Sequence, residues 1–363
     1  MTNWFQSMQQ SFEYYTVNPV TWRDVKRIQN VRDSRITWDL ETDTLGSLMM
    51  NVDERIDECY VRIYLVTIQN GITERHPLGT FLVQSPSYTF DGKSVSYSLD
   101  AYTPLLELKE KQPPIGYSIM EGQNVMDIAY RLIRENVRAP IVKTEKDDKL
   151  YYDFVANTDD TWITFVKDLI ANAKYELGLD ELSRIIFNPI SSASAMQPRW
   201  TFDDDNSSIL HPVLDVSQDL YGIPNAVEVI FSNNKAYEYA KVINDDKDSI
   251  TSTVNRGREI IHRIVNPTVL VNPTKEQLED YGKQKLKELS CLEYRITYTH
   301  GYCPVRIGDC VRLNYKRAGL VNVKAKVISQ TIDCVPGCSV TETAVFTSQL
   351  WRGSNEAVKR LSL

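Results

Sequence analysis

Ser94-Val95-Ser96-Tyr97-Ser98-Leu99 decides the first reading of this chain. Apolar side chains alternate strictly with serines, the period of two that turns one face of a β-strand inward and leaves the other in water. Asp91-Gly92 stands just before it, and both residues tolerate the positive φ of a type I′ hairpin turn. Upstream, Pro77-Leu78-Gly79-Thr80-Phe81-Leu82-Val83 reads as a strand, with Ser85-Pro86-Ser87 as a break after it. Further back, Ile36, Trp38 and Leu40 alternate with Thr37 and Asp39. Tyr60–Ile68 is a β-branched and aromatic run closed by the turn Gln69-Asn70-Gly71. Residues 1–112 therefore read as a β-sandwich or barrel.

Pro113-Pro114-Ile115-Gly116 marks a boundary, and beyond it the period becomes helical. Val125, Ile128, Ala129, Leu132 and Ile133 repeat at i, i+3, i+4, i+7 and i+8 behind Asn124 as N-cap. Trp162, Phe165, Val166, Leu169 and Ile170 follow the same rule, entered through Thr158-Asp159-Asp160. With strand-like Tyr151–Val155 and Arg184–Phe187, residues 113–198 read as a small α/β domain.

The chain returns to β at Arg199-Trp200-Thr201-Phe202, and the acidic run Asp203-Asp204-Asp205-Asn206 reads as a solvated turn. Ala226–Phe231, Ala236–Val242 and Glu259–Val265 look like strands around polar loops. A third helix opens at Pro273-Thr274, where Thr274 and Gln277 form a capping box ahead of Leu278, Tyr281, Leu286 and Leu289. Leu292–Tyr298, Asp309–Leu313, Val321–Gln330 and Val340–Thr347 are β again. The fold class expected is α+β and mainly β.

Composition narrows the function. The chain has 363 residues, 42% of them hydrophobic and 25% charged, an ordinary globular make-up for two or three domains. Its 41 Lys+Arg against 48 Asp+Glu, net −7, lack the basic stripe that nucleic-acid binding requires. The start, MTNWFQSMQQSFEYY, has neither a basic nor an apolar signal region, and the apolar run at Tyr60–Ile68 is broken by Arg62, so no secretory signal or membrane segment is expected.

No Gly-rich phosphate loop, GxSxG elbow or HExxH helix occurs. None of the four histidines, His76, His211, His262 and His300, joins a Ser or Cys in a known signature. Glu41 and Asp43 could share one face of a strand and imitate a glycosidase pair, a coincidence to be expected among 48 carboxylates. Cys303, Cys310, Cys334 and Cys338 cluster near His300, but the gaps of six and three residues are not zinc knuckles. Pro336-Gly337 turns Cys334 towards Cys338. Free thiols, a disulfide and a metal site all stay open for these four. No catalytic, cofactor-binding or metal-ligating residue is assigned, and no cofactor is called for.

Five stretches, in order, resemble the baseplate hub family of phage tails and related contractile injection systems. They are Pro77–Val83 with the Asp-Gly hairpin and Ser98-Leu99-Asp100-Ala101-Tyr102; Gly116-Tyr117-Ser118 with Glu121-Gly122-Gln123-Asn124; Gly222-Ile223-Pro224-Asn225-Ala226-Val227; Asn255-Arg256-Gly257-Arg258-Glu259; and Arg306-Ile307-Gly308-Asp309-Cys310-Val311. The cysteine pairs are not part of that pattern. The resemblance implies a homotrimer with two tube-like β-barrels per chain, the six barrels adapting a hexameric tail tube to a trimeric central spike. Carried over, the first barrel is 1–112 and the second is split into 199–232 and 290–350. Residues 113–198 and 233–289 are then peripheral domains, and 351–363 a tail. The implied partners are a tail tube or distal tube ring and the spike, with tape-measure and baseplate wedge proteins as further candidates. Neither sequence-specific nucleic acid nor a membrane is among them. The implied place is the virion, assembled in the bacterial host cytoplasm.

The expectation is a structural protein, not an enzyme. The alternatives are a siphophage tail-tip protein, which in that family often carries a lysin domain, and a hydrolase on a β scaffold. The end of the sequence at Leu363, soon after the second barrel, is read as leaving no room for a lysin. Three chains at −7 total −21, and a lumen of Asp, Glu, Asn, Ser and Thr rather than Lys and Arg is expected.

Overall fold

The computed structural model describes residues 2–146, 148–205, 209–232, 237–267 and 273–349. Asn206, Ala236 and the tail 351–363, each part of an expectation above, lie outside them. Among the described residues, strands hold 46% and helices 14%, so the protein is α+β and mainly β.

The chain opens with β1 (Gln9–Val17), β2 (Asp24–Ile28), β3 (Val31–Asp39), β4 (Gly46–Val52), β5 (Tyr60–Gln69), β6 (Ile72–Phe90) and β7 (Val95–Tyr102). A helical stretch follows: α1 (Leu106–Lys109), β8 (Ser118–Ile119), α2 (Val125–Asn136), β9 (Phe154–Val155), α3 (Trp162–Ala171), β10 (Tyr175–Leu179) and β11 (Ile185–Pro189). Then come β12 (Trp200–Asp203), β13 (Leu210–Gln218), β14 (Ala226–Ser232), β15 (Tyr237–Ile243), α4 (Thr253–Arg256), β16 (Ile261–Val265) and α5 (Lys275–Leu289). The last strands are β17 (Cys291–Gly301), β18 (Cys310–Asn314), β19 (Val323–Asp333) and β20 (Ser339–Gln349).

The chain divides into two compact units. The first holds the described residues of Met1–Leu214, Thr297–Tyr315 and Lys324–Ala344; the second holds those of Asp215–Ile296, Lys316–Val323 and Val345–Leu363. The largest sheet has the strand order β13-β17-β20-β19-β3-β4-β7-β6-β5-β1-β2, with β18 on β19 and β12 on β18.

One turn reading holds and one needs correction. The turn in which both φ are positive is Asn70-Gly71, at 51° and 74°, between the paired Gln69 and Ile72. At Asp91-Gly92 only Gly92 is positive (95°), and four residues separate the paired Phe90 and Val95. There the Asp91 carboxylate accepts the backbone N–H groups of Lys93 (2.8 Å) and Ser94 (2.7 Å). Those bonds, Ser94's first, hold the carboxyl below its ordinary range.

The expected break at Ser85-Pro86-Ser87 is absent. β6 runs through it, and the register slips so that Gln84 has no opposite residue between Val83 and Ser85. Pro86 is tolerated because β5 ends opposite Leu82, so this half of β6 is paired on one side only. A second slip, at Leu78, sits beside Gly79, whose φ is 152°.

The core of the β layer gathers Ile36, Trp38, Leu48, Met50, Ile63, Leu65, Phe81, Val83 and Leu99. A second cluster joins the apolar faces of α2 and α3 to Leu177, Ile185, Phe187 and, from the β layer, Trp22, Tyr60 and Leu82. Asn124 caps α2 as expected, whereas α3 is capped by Thr161 in a reciprocal pair with Thr164. The hairpin loop between β10 and β11 fastens the two layers: Leu182 O accepts from Trp22 Nε1 (2.9 Å) and Thr80 Oγ1 (3.0 Å), and Ser183 Oγ accepts from Thr80 N (2.8 Å). Beneath it, buried Arg62 donates to Thr80 Oγ1 (2.8 Å), Trp22 O (3.2 Å) and Asp24 (2.9 Å).

In the second unit, β15-β14-β16 form a sheet whose Val227, Val229 and Ala240 pack on Leu278 and Leu286 of α5. Thr274 and Gln277 make both halves of the capping box.

Candidate assembly surface

The core face of the β layer continues past the point where the core ends. Met50, Leu99 and Val52 point inward across β4 and β7, and the register sets Leu99 opposite Pro86, Tyr97 opposite Tyr88, and Val95 opposite Phe90. By the two-residue period, Pro86, Tyr88 and Phe90 share that face. Yet Tyr88 is 71% and Phe90 62% exposed, with the Tyr88 and Tyr97 rings 6.2 Å apart. The opposite face carries Ser87, Thr89, Ser96 and Ser98. The outer edge of Ser85–Phe90 pairs with nothing among the described residues. It is an uncharged, apolar-faced open edge, the kind of surface that sheet proteins cover.

The two ends of the strand path differ. β2 exposes Lys26 and Arg27, and β13 carries Pro212, which lacks an N–H to offer. Both devices discourage indiscriminate strand pairing. In the second unit, the sheet face away from α5 exposes Tyr237, Tyr239, Ile261 and Val265 around a Glu228–Arg263 ion pair of 2.8 Å.

Glu41 and Asp43 lie in the turn between β3 and β4, not on a strand face. Burial would raise the Asp43 carboxyl, but Lys109 (3.2 Å) and Lys167 (3.5 Å) outweigh it and hold it below its usual range. Asp203 is in β12, where it accepts from Asn314 Nδ2 at 2.9 Å. His211 and His262 are exposed, and His76 sits beside Thr67 (3.0 Å).

All six cysteines are free thiols, and among the described residues no group of three or more potential ligands could hold a metal. Cys334 and Cys338 are buried in the β-layer core, where burial pushes the Cys334 thiol up to about 12. Cys338 has a φ of 36°.

One partner of His300 and Cys303, Glu342, is not evident in the sequence. His300 Nε2 lies 3.3 Å from Glu342 Oε1 and Cys303 Sγ lies 3.8 Å from His300 Nδ1, with His300, Glu342 and Cys303 all 0% exposed. The residue types imitate a thiol, imidazole and carboxylate triad, but Nδ1 is occupied by Gly301 O at 2.7 Å, and burial first, then the Glu342 charge, pushes the thiol far up. Val340, Glu342 and Ala344 share one inward face, and that period of two was the signal that could have found Glu342.

The five stretches that carry the resemblance serve as fasteners. Leu82 and Val83 pair with Tyr102 and Ala101. Tyr117 stacks edge-on against Trp162 and Phe165, with ring centroids 5.1 and 5.5 Å away. Buried Asn225 accepts from Ile260 N (2.7 Å) and donates to Arg258 O (2.9 Å), while Arg256 donates to Ile223 O (3.0 Å), so the third and fourth stretches dock on each other. Gly308 N donates to Val327 O at 2.7 Å, hanging the fifth on β19.

No protein-family model matches the chain. Among curated proteins it is similar to plasma membrane fusion protein PRM1 of Saccharomyces cerevisiae (strain YJM789), 28% identical over 131 residues, which are 34% of this chain and 20% of that protein. The chain thus matches only a fifth of that relative's length, and among the described residues no helix is long and apolar enough to cross a membrane. Solved structures match nearly end to end. A tail protein from Neisseria meningitidis MC58 aligns with a TM-score of 0.65 at 12% identity, covering 93% of this chain and 96% of that one. The 43 kDa tail protein of prophage MuSo2 from Shewanella oneidensis aligns at 0.62 and 13%, covering 92% and 98%. A prophage tail protein, gp18, from Listeria monocytogenes EGD-e aligns at 0.50 and 8%, covering 92% and 94%. With its five fasteners in place and its strands superposing over almost the whole length of these structures, the chain has the fold of phage and prophage tail proteins.

Proposed function

We propose that the chain is a structural, non-enzymatic part of a phage tail or related contractile injection machine, and within it the trimeric hub between a six-fold tube end and a three-fold spike. The observation that carries this reading is the match of fold over 93% of the chain to a tail protein. Each chain supplies two tube-like barrels, residues 1–112 and the split pair 199–232 with 290–350, so that three chains present six. The tube ring and the central spike are its partners, and a lumen poor in Lys and Arg lets DNA pass without the counterion-release attraction of a basic lining.

The uncovered face at Tyr88 and Phe90 supports assembly over a solitary life. Burying those two rings in an interface contributes about 1–2 kcal/mol each. Purified protein tested alone and with its tube-end and spike partners decides the matter: rings of three chains are expected. Peptidoglycan degradation by the purified protein, abolished in Glu41→Gln, would instead establish an enzyme.

A further inference from the structure

We propose that the outer edge of Ser85–Phe90 takes an extended, uncharged segment of another tail protein as an added β-strand, held by the backbone of Tyr88 and Phe90. The inference rests on the assembly reading above and names how that edge is covered. The parity of the ladder carries it.

Asp91 N donates to Ser94 O at 3.2 Å, which makes these two a hydrogen-bonded pair at the tip of the β6–β7 hairpin. In an antiparallel ladder, hydrogen-bonded and non-hydrogen-bonded pairs alternate. Counting back from the tip, Phe90 with Val95 is a non-bonded pair, Thr89 with Ser96 a bonded one, Tyr88 with Tyr97 non-bonded and Ser87 with Ser98 bonded. Ser87 and Thr89 therefore turn their N–H and C=O groups towards β7. Pro86, Tyr88 and Phe90 turn theirs outward. Proline fits this alternation, because Pro86 stands opposite Leu99 where the ladder asks for no N–H. The outer edge thus presents the N–H and C=O of Tyr88 and of Phe90 and the C=O of Pro86, and among the described residues no strand pairs with them.

The residues with outward backbone are also those with exposed rings, Tyr88 and Phe90. One short stretch offers hydrogen bonds and apolar surface together. A helix satisfies its own backbone, and a lipid chain has no hydrogen-bonding group. An added strand uses both.

A second copy of the chain is the poorer occupant. Its β1, β2 and β12 bring charge at Glu13, Lys26, Arg27 and Asp203, and its β13 brings Pro212. Two Ser85–Phe90 edges laid antiparallel would set Tyr88 on Tyr88 and Phe90 on Pro86, which has no N–H, so each Phe90 carbonyl would go unmatched. That pairing is also two-fold and closes at two copies, not three. Ser85–Phe90 itself carries no charge. The partner segment is accordingly free of charge and of proline where it faces Tyr88 and Phe90, with apolar side chains at every second position.

Amide hydrogen exchange of the full chain, alone and then with the purified tube-end ring protein or the purified spike protein, tests this. Alone, Ser87 and Thr89 are expected to be protected and Tyr88 and Phe90 to exchange freely; the reverse pattern overturns the parity. With one partner, Tyr88 and Phe90 should slow by about a hundredfold or more. A complex that leaves both fast overturns the strand addition while the hub reading stands, whereas no complex with either protein overturns both. Protection that appears when the chain self-associates without a partner puts a second copy on the edge and overturns the occupant. Variants separate backbone from ring. Tyr88→Ser keeps the outward N–H, while Tyr88→Pro removes it without touching the bonds to β7, and should bind about fivefold or more weaker than Tyr88→Ser. Thr89→Pro, which removes an inward N–H, should loosen the hairpin itself. Equal binding by Tyr88→Ser and Tyr88→Pro overturns the proposal; if Tyr88→Pro does not fold, the exchange pattern of the wild type decides.

Discussion

Gly79→Ala tests the packing of the β layer most sharply. A β-carbon built at this position meets Trp38 Cζ2 at 2.8 Å, Phe81 Cε2 at 2.8 Å and Phe81 Cζ at 2.9 Å, against the 3.5–4.0 Å that carbon atoms prefer. Neither ring can retreat freely, because the two pack on each other with centroids 5.2 Å apart and both are buried. Such overpacking costs about 1–3 kcal/mol. The φ of 152°, a region that only glycine adopts without strain, adds about 1–3 kcal/mol. Together they lower the stability of the first unit by about 2–6 kcal/mol. Urea unfolding followed by tryptophan fluorescence and circular dichroism should move the midpoint of that transition down by about 0.7–2 M, for a slope near ~3 kcal/mol/M. A loss of under about 1 kcal/mol would show that the slip at Leu78 does not press Gly79 against those rings.

Three further outcomes are expected. Replacing Tyr88 and Phe90 together by Ser should leave the unfolding of the isolated chain within about 0.5 kcal/mol, because both are exposed there, yet weaken assembly by ~2–4 kcal/mol; undiminished assembly would free that face of its role. Thr274→Ala removes the acceptor for Gln277 N and should cost the second unit about 1 kcal/mol, with Thr274→Ser restoring most of it, as hydrogen exchange along α5 would report. With its thiol pushed up to about 12, Cys334 is thiolate in only about one molecule in ten thousand at pH 8, so alkylation should await unfolding and quicken as pH rises; rapid labelling of native protein contradicts this.

The helices were legible because their signals are local. Thr274 and Gln277 satisfy each other's backbone, and Val125 to Ile133 repeat with a period that no strand would use. The single turn Leu106–Lys109 is too short to show a period and was not read. Asn70-Gly71 and Asp91-Gly92 look alike as dipeptides; the number of residues between paired strand ends separates them, and that is a property of the ladder. Nothing in Gln84-Ser85-Pro86 distinguishes a slipped register from a break, because the difference lies in what Ala101 and Asp100 face across the sheet. The buried pair of His300 and Glu342 was hidden for the same reason: the two are far apart in sequence and meet only when β17 and β20 become neighbours. Open edges are the extreme case. Ser329 pairs with Asp39 across most of the chain, so only the assembled sheet tells which strands remain uncovered.

The mass of the particle in solution tests the central claim most directly. Sedimentation or light scattering of the full chain, alone and then with a tube-end ring and a spike, should give a species of three times 41.7 kDa, visible in projection as a closed ring with six-fold outline. A chain that stays monomeric at high concentration and forms no ring with either partner would contradict the account.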